Sequence, residues 1–213
     1  MQLTRHFLAI LFLLVWCDSA LSEPLKQQRI LILGDSLSAA HGLQTEEGWV
    51  ALWQRKIKKN RLPVEVINAS RSGETTQGAR QRLPNLLRQH RPDWVLIELG
   101  ANDGLRGFPP QVIQKNLSHL IDGVFAQGGK VILMQIRLPE SYGKDYVNAF
   151  ENIYPRLAEM KNVPLVPFLL TPLADRPEMF QSDRIHPTRE AQAIVAEFME
   201  ESLTKIIQRA QHD

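Results

Sequence analysis

Apolar residues along the chain fall into two alternating rhythms. Arg29-Ile-Leu-Ile-Leu33, Trp94-Val-Leu-Ile97 and Val131-Ile-Leu-Met134 are short, nearly unbroken runs and read as strands buried on both faces. Val64-Glu-Val-Ile67 is rich in β-branched residues and reads as a strand, and Leu165-Val166, between two prolines, as a short fifth. Between these runs the spacing turns helical. Trp49, Val50, Trp53 and Ile57 share one face, Leu83, Leu86 and Leu87 another. Val112 to Phe125 carries a long apolar stripe that Gly128-Gly129 closes. Tyr146, Val147, Phe150, Ile153, Tyr154 and Leu157 predict one helix, and Ala191 to Ile206 a final long one. Strands alternating with helices predict a single-domain α/β protein with a five-stranded parallel sheet covered on both faces. Right-handed crossovers make it doubly wound, and ligands then bind beyond the carboxyl ends of the strands.

The pattern breaks at the N-terminus. Arg5 precedes ten apolar residues, Phe7 to Trp16. Crossing a bilayer takes about 20 such residues, so this run is too short. With Ala20-Leu21-Ser22 after it, it reads as a signal peptide over residues 1–22, cleaved before Glu23. Cys17 raises a lipoprotein alternative, but a lipid-modified cysteine normally follows a small residue and this one follows Trp16. Cleavage removes Cys17, the sole cysteine, so residues 23–213 enter a periplasmic or extracellular compartment with no disulfide to form. A single cysteine also excludes a cysteine-rich zinc site. Lys+Arg 25 against Asp+Glu 23 gives a net charge of only +2, too weak a field for nucleic acid.

Polar, glycine-containing sequence gathers where the strands end. Gly34-Asp35-Ser36-Leu37-Ser38 follows the first strand, Asn68-Ala-Ser-Arg-Ser-Gly73 the second, and Gly100-Ala-Asn-Asp-Gly104 the third. Asp183-Arg-Ile-His186-Pro187 precedes the last helix. Each fragment alone has an ordinary reading: a helix cap at Ser36 or Asp183, a turn glycine at Gly73, turn chemistry at Asn102-Asp103. Together they contain what acyl transfer requires. A serine hydroxyl needs a base within hydrogen-bond reach, and an imidazole base needs a carboxylate to orient it. Asp183 and His186 are close enough in sequence to meet in one turn. The oxyanion needs fixed donors, which Ser36 N–H, Gly73 N–H and the Asn102 amide could supply. His41 is the rival base but has no evident carboxylate partner.

These four blocks, in this order and spacing, resemble those of the SGNH (GDSL) hydrolases. Asn68-Ala-Ser70, Gly104-Leu-Arg-Gly-Phe108 and Met134-Gln-Ile-Arg-Leu-Pro-Glu-Ser-Tyr-Gly143 are similar to the bacterial periplasmic thioesterase I / lysophospholipase / arylesterase branch. The resemblance implies a three-layer, flavodoxin-like α/β/α sandwich that hydrolyses carboxyl esters and acyl thioesters without metal or cofactor. It assigns Ser36 as nucleophile, His186 as base, Asp183 as acid, and Ser36, Gly73 and Asn102 as oxyanion donors. The branch typically has glycine and tyrosine where this chain has Ala40 and His41, and often a glycine at Ala101.

Leu105, Phe108, Leu138 and Tyr142, with Leu173, Met179 and Phe180, lie in segments after strands. They are expected to form an apolar trough for an acyl chain, or else to be ordinary loop packing. Burial of each CH₂ there contributes about 0.8 kcal/mol. The Gly104–Gly107 segment is a candidate moving element. The basic cluster from Arg55 to Arg61 reads as a solvated helix end. The expected partner is a small ester, thioester or lipid substrate met by a monomer. A carbohydrate O-acetyl esterase on the same frame is the competing enzyme, and a non-catalytic periplasmic ligand-binding protein the competing class.

Overall fold

The computed structural model describes residues 27–209. The signal-peptide segment and its cleavage site lie outside them. β1 (Gln28–Gly34), β2 (Val64–Asn68), β3 (Trp94–Glu98), β4 (Lys130–Met134) and β5 (Leu165–Val166) form one sheet in the order β2-β1-β3-β4-β5. Every pairing is parallel, with Leu31 opposite both Ile67 and Val95. This is the flavodoxin-like strand order, whose direction reverses beside β1.

The helices are α1 (Trp49–Lys59), α2 (Thr76–His90), α3 (Ala101–Leu105), α4 (Pro110–Phe125), α5 (Lys144–Glu151), α6 (Ile153–Lys161) and α7 (Arg189–Arg209). α1 packs on α7, while α2, α4 and α6 pack in series. Right-handed crossovers place these two groups on opposite faces of the sheet. Ile30 to Leu33, Val95 to Ile97 and Ile132 to Met134 have no exposed surface, as their continuous apolar runs require. Among the described residues, no helix is long and apolar enough to cross a membrane.

Two expectations need correction. The single helix read from Tyr146 to Leu157 is two helices, broken at Asn152. Pro155 has no N–H, and its ring crowds the carbonyl four residues back, at Glu151. That carbonyl instead accepts a bond from Gln135 Nε2 at 3.1 Å. The segment whose ordinary reading was a turn, Asn102-Asp103-Gly104, lies in the short helix α3.

The basic cluster is partly engaged. Arg55 donates to the Glu46 carbonyl at 2.7 Å, and Lys56 pairs with Glu200 of α7 at 2.7 Å.

Candidate active site

Three segments that follow β1, β2 and β3 meet the loop between β5 and α7. The first turns sharply after Gly34. A Cβ at Gly34 would lie 2.5 Å from Glu98 Oε2 and 2.9 Å from Ser70 Oγ, so a larger residue forces these side chains to shift. Asp35 Oδ1 then accepts from Leu37 N–H at 3.0 Å, folding the chain so that Ser36 is partly exposed between two buried neighbours.

His186 Nε2 lies 2.8 Å from Ser36 Oγ, across 150 residues of sequence. His186 Nδ1 lies 2.7 Å from Asp183 Oδ2. Asp183 Oδ1 accepts from the N–H groups of Ile185 and His186, at 2.9 and 3.0 Å. Slight burial pushes the Asp183 carboxyl up. The bonds from His186 and Ile185 outweigh this and hold it at about 2. An ionised carboxylate only accepts, so Nδ1 carries a proton, and in the neutral imidazole the Nε2 lone pair faces the serine.

Gln181 fixes this turn to the first segment. Its N–H bonds the His186 carbonyl at 2.8 Å, and its side chain donates to the carbonyls of His41 and Pro187. Nothing in the sequence pattern singles Gln181 out.

The oxyanion candidates border the same serine. Asn102 Nδ2 donates to Asp35 Oδ2 at 3.2 Å, which places its amide beside Ser36. Gly73 has φ +77°, a conformation that L side chains rarely adopt. Within the described residues, the N–H groups of Ser36 and Gly73 have no partner, so both can donate to a ligand.

A buried carboxyl pair supports the whole. Glu98 ends β3, has no exposed surface, and accepts from Asp35 N–H at 3.1 Å and Ser38 Oγ at 2.8 Å. Burial, and then the charge of Asp35, pushes Glu98 well above the ordinary carboxylate range. Burial likewise raises Asp35 to about 6, against the bond from Leu37 N–H. Glu98 Oε1 accepts nothing among the described residues. A proton on Glu98, donated to the neighbouring Asp35, accounts for the orphaned oxygen and for two carboxyls in contact. The apolar reading of the third strand stopped at Ile97 and missed Glu98. Asp103 was read as turn chemistry but is buried, accepting from Thr76 N–H and Oγ1 at the start of α2.

The expected trough is only partly surface. Leu138 is 7% exposed and packs under Gly104, and Leu173 is fully buried, so both belong to the core. Leu105, Phe108, Met179 and Phe180 are half-buried against that core. Tyr142 is exposed, but its hydroxyl ties down the Leu105 carbonyl at 3.0 Å. Tyr146 does the same for Phe108 at 2.7 Å. A depression of about 530 Å³ lined by Arg88, Arg91 and Gly128 lies among helix ends and loops that precede β3 and β4, at the opposite end of the sheet.

A doubly wound parallel sheet carrying a hydrogen-bonded serine, imidazole and carboxylate at its carboxyl edge defines a serine hydrolase of the flavodoxin-like type. The chain belongs to the GDSL-like lipase/acylhydrolase family, whose model matches residues 32–194. It is 48% identical over 192 residues to an arylesterase of Vibrio mimicus, covering 90% of this chain and 95% of that protein. It is 46% identical over 182 residues to thioesterase 1/protease 1/lysophospholipase L1 of Escherichia coli K12, covering 84% of each. Among solved structures, the psychrotrophic esterase EstA of a Pseudoalteromonas species, inhibited by monoethylphosphonate, superposes with a TM-score of 0.83. It is 44% identical, and the match covers 85% of this chain and 99% of that one.

Proposed function

We propose that the chain hydrolyses carboxyl esters and acyl thioesters through an acyl-enzyme on Ser36, as an exported protein beginning at Glu23. The observation that carries this reading is the continuous relay Ser36–His186–Asp183, at 2.8 and 2.7 Å. As Ser36 Oγ attacks the substrate carbonyl carbon, its proton passes to His186 Nε2. Asp183 stabilises the imidazolium. The carbonyl electron pair moves onto oxygen, where Ser36 N–H, Gly73 N–H and the Asn102 amide receive it. When the carbonyl re-forms, the alcohol or thiol leaves with the proton from His186. Water then repeats the sequence, giving its proton to His186, and releases the carboxylic acid and free Ser36.

The half-buried Leu105, Phe108, Met179 and Phe180 supply apolar surface for the acyl group. The names of the arylesterase and thioesterase relatives support this substrate class.

Labelling with a fluorophosphonate, followed by peptide mass spectrometry, tests the nucleophile. The adduct is expected on Ser36 and is lost in Ser36→Ala. An unlabelled protein would point to a binder instead. Rates on p-nitrophenyl esters from acetate to palmitate, beside acyl-CoAs, test the substrate. Rates are expected to rise beyond acetate, and a preference for acetylated sugars would replace this reading with the O-acetyl esterase.

A further inference from the structure

His41 has no part in the relay described above, yet its ring sits against it. The imidazole centroids of His41 and His186 are 4.3 Å apart, with their planes tilted by 37°. One ligand atom from each of His41, Asp183 and His186 falls within 4.8 Å of the others. His41 Nδ1 lies 3.3 Å from Ser72 Oγ, and Nε2 has no partner among the described residues. His41 and Asp183 are exposed, so an ion reaches them directly from solvent.

We propose that His41, His186 and Asp183 form an inhibitory site for a divalent transition-metal ion of the zinc type. Two imidazoles and one carboxylate are borderline ligands that favour zinc, copper or nickel over magnesium and calcium. Three protein ligands with the fourth position left to water is the arrangement of an open zinc site. Bonds of about 2.0–2.2 Å draw tetrahedral ligand atoms to roughly 3.4 Å of one another. Closing a gap of up to about 1.4 Å takes a rotation of the exposed His41 side chain.

The loops that carry the ligands are already joined. Gln181 bonds the carbonyls of both His41 and His186, through its side chain and its backbone. The ion therefore meets two imidazoles whose backbones are fixed relative to each other, which lowers the ordering cost of binding.

The functional effect rests on His186 being the base, as proposed above. Coordination through Nδ1 takes the imidazole from Asp183, and coordination through Nε2 occupies the lone pair that faces Ser36. Either route leaves the serine without its base.

The test uses the untagged exported protein after chelator treatment and dialysis. Zn²⁺ is titrated by calorimetry into wild type, His41→Tyr and His41→Gln. Ester hydrolysis is then measured with Zn²⁺ or Mg²⁺, each variant scaled to its own metal-free rate. Wild type should bind one Zn²⁺, lose activity over the same concentrations, and recover with EDTA. Both His41 variants should need at least about tenfold more Zn²⁺ for binding and for inhibition. Absence of binding, equal affinity in both variants, binding without inhibition, or equal inhibition by Mg²⁺ each overturns the proposal. A His186→Ala protein that hydrolyses esters normally would instead overturn the catalytic reading, while the calorimetric result on wild type would still stand.

Discussion

Replacing Glu98 separates its proton from its shape. Glu98→Gln keeps an oxygen that can accept from Ser38 Oγ and Asp35 N–H, and a donor that can face the Asp35 carboxylate. Glu98→Ala removes the acceptor and leaves both donors buried without partners. Each unmet donor costs about 1–3 kcal/mol, so the alanine variant should lose about 2–6 kcal/mol before any cavity cost. That is a large part of the roughly 5–15 kcal/mol that holds a domain folded.

The pH dependence distinguishes the variants further. Both carboxyls have folded-state pKa values above their unfolded ones. Their stabilising effect is complete below the unfolded values and is lost as pH rises through the folded ones. For Asp35 the loss runs from about 4 to about 6. For Glu98 it begins near 4.5 and continues beyond, at about 1.4 kcal/mol per pH unit while the proton is held. Urea unfolding from pH 4 to pH 9 should show wild-type stability still falling above pH 6, and the Glu98→Gln curve levelling off there. Two results would refute the protonated Glu98: a glutamine curve that falls as steeply as wild type above pH 6, or a glutamine variant as unstable as alanine.

Other outcomes follow from the same geometry. Asn102→Ala should lower kcat about 10²–10³-fold in steady-state assays, with KM and unfolding midpoint near normal. His186→Ala should lower kcat at least about 10³-fold while circular dichroism stays unchanged. In Gly34→Ala the new Cβ meets Glu98 Oε2 at 2.5 Å, so thermal unfolding should show a loss of about 1–3 kcal/mol. N-terminal sequencing of exported protein should begin at Glu23, and a retained Met1 would refute the cleavage site.

Much of the frame was legible because β1, β3 and β4 are buried on both faces, which leaves continuous apolar runs in the sequence. The break at Asn152 was hidden because apolar spacing continues across it. The proline that causes it lies three residues further on and acts on a carbonyl, which periodicity does not record. The four polar blocks were legible as candidates because each follows a strand or precedes the last helix. Their supports were not. Glu98 looks like the polar end of a strand, and its importance depends on Asp35 arriving from β1, 63 residues earlier. Gln181 has no local signature, since the carbonyls it bonds belong to two separate loops. Leu138 and Leu173 misled because position after a strand does not say which side of the loop a residue faces.

The turn that holds both Asp183 and His186 changes how many parts the site must bring into register. Three catalytic side chains on three separate carriers need two independent placements. Here the proposed acid and base travel as one piece, held by local bonds, and only its position relative to Ser36 remains to be set. Gln181 sets it through the His41 carbonyl, while the Phe180–Pro187 bridge closes the turn itself. Exposed positions between β5 and Phe180 can therefore drift in sequence without detuning the proposed acid–base pair, whereas Leu173 is held by the core. A change at the Gln181 contact misaligns acid and base together relative to the serine.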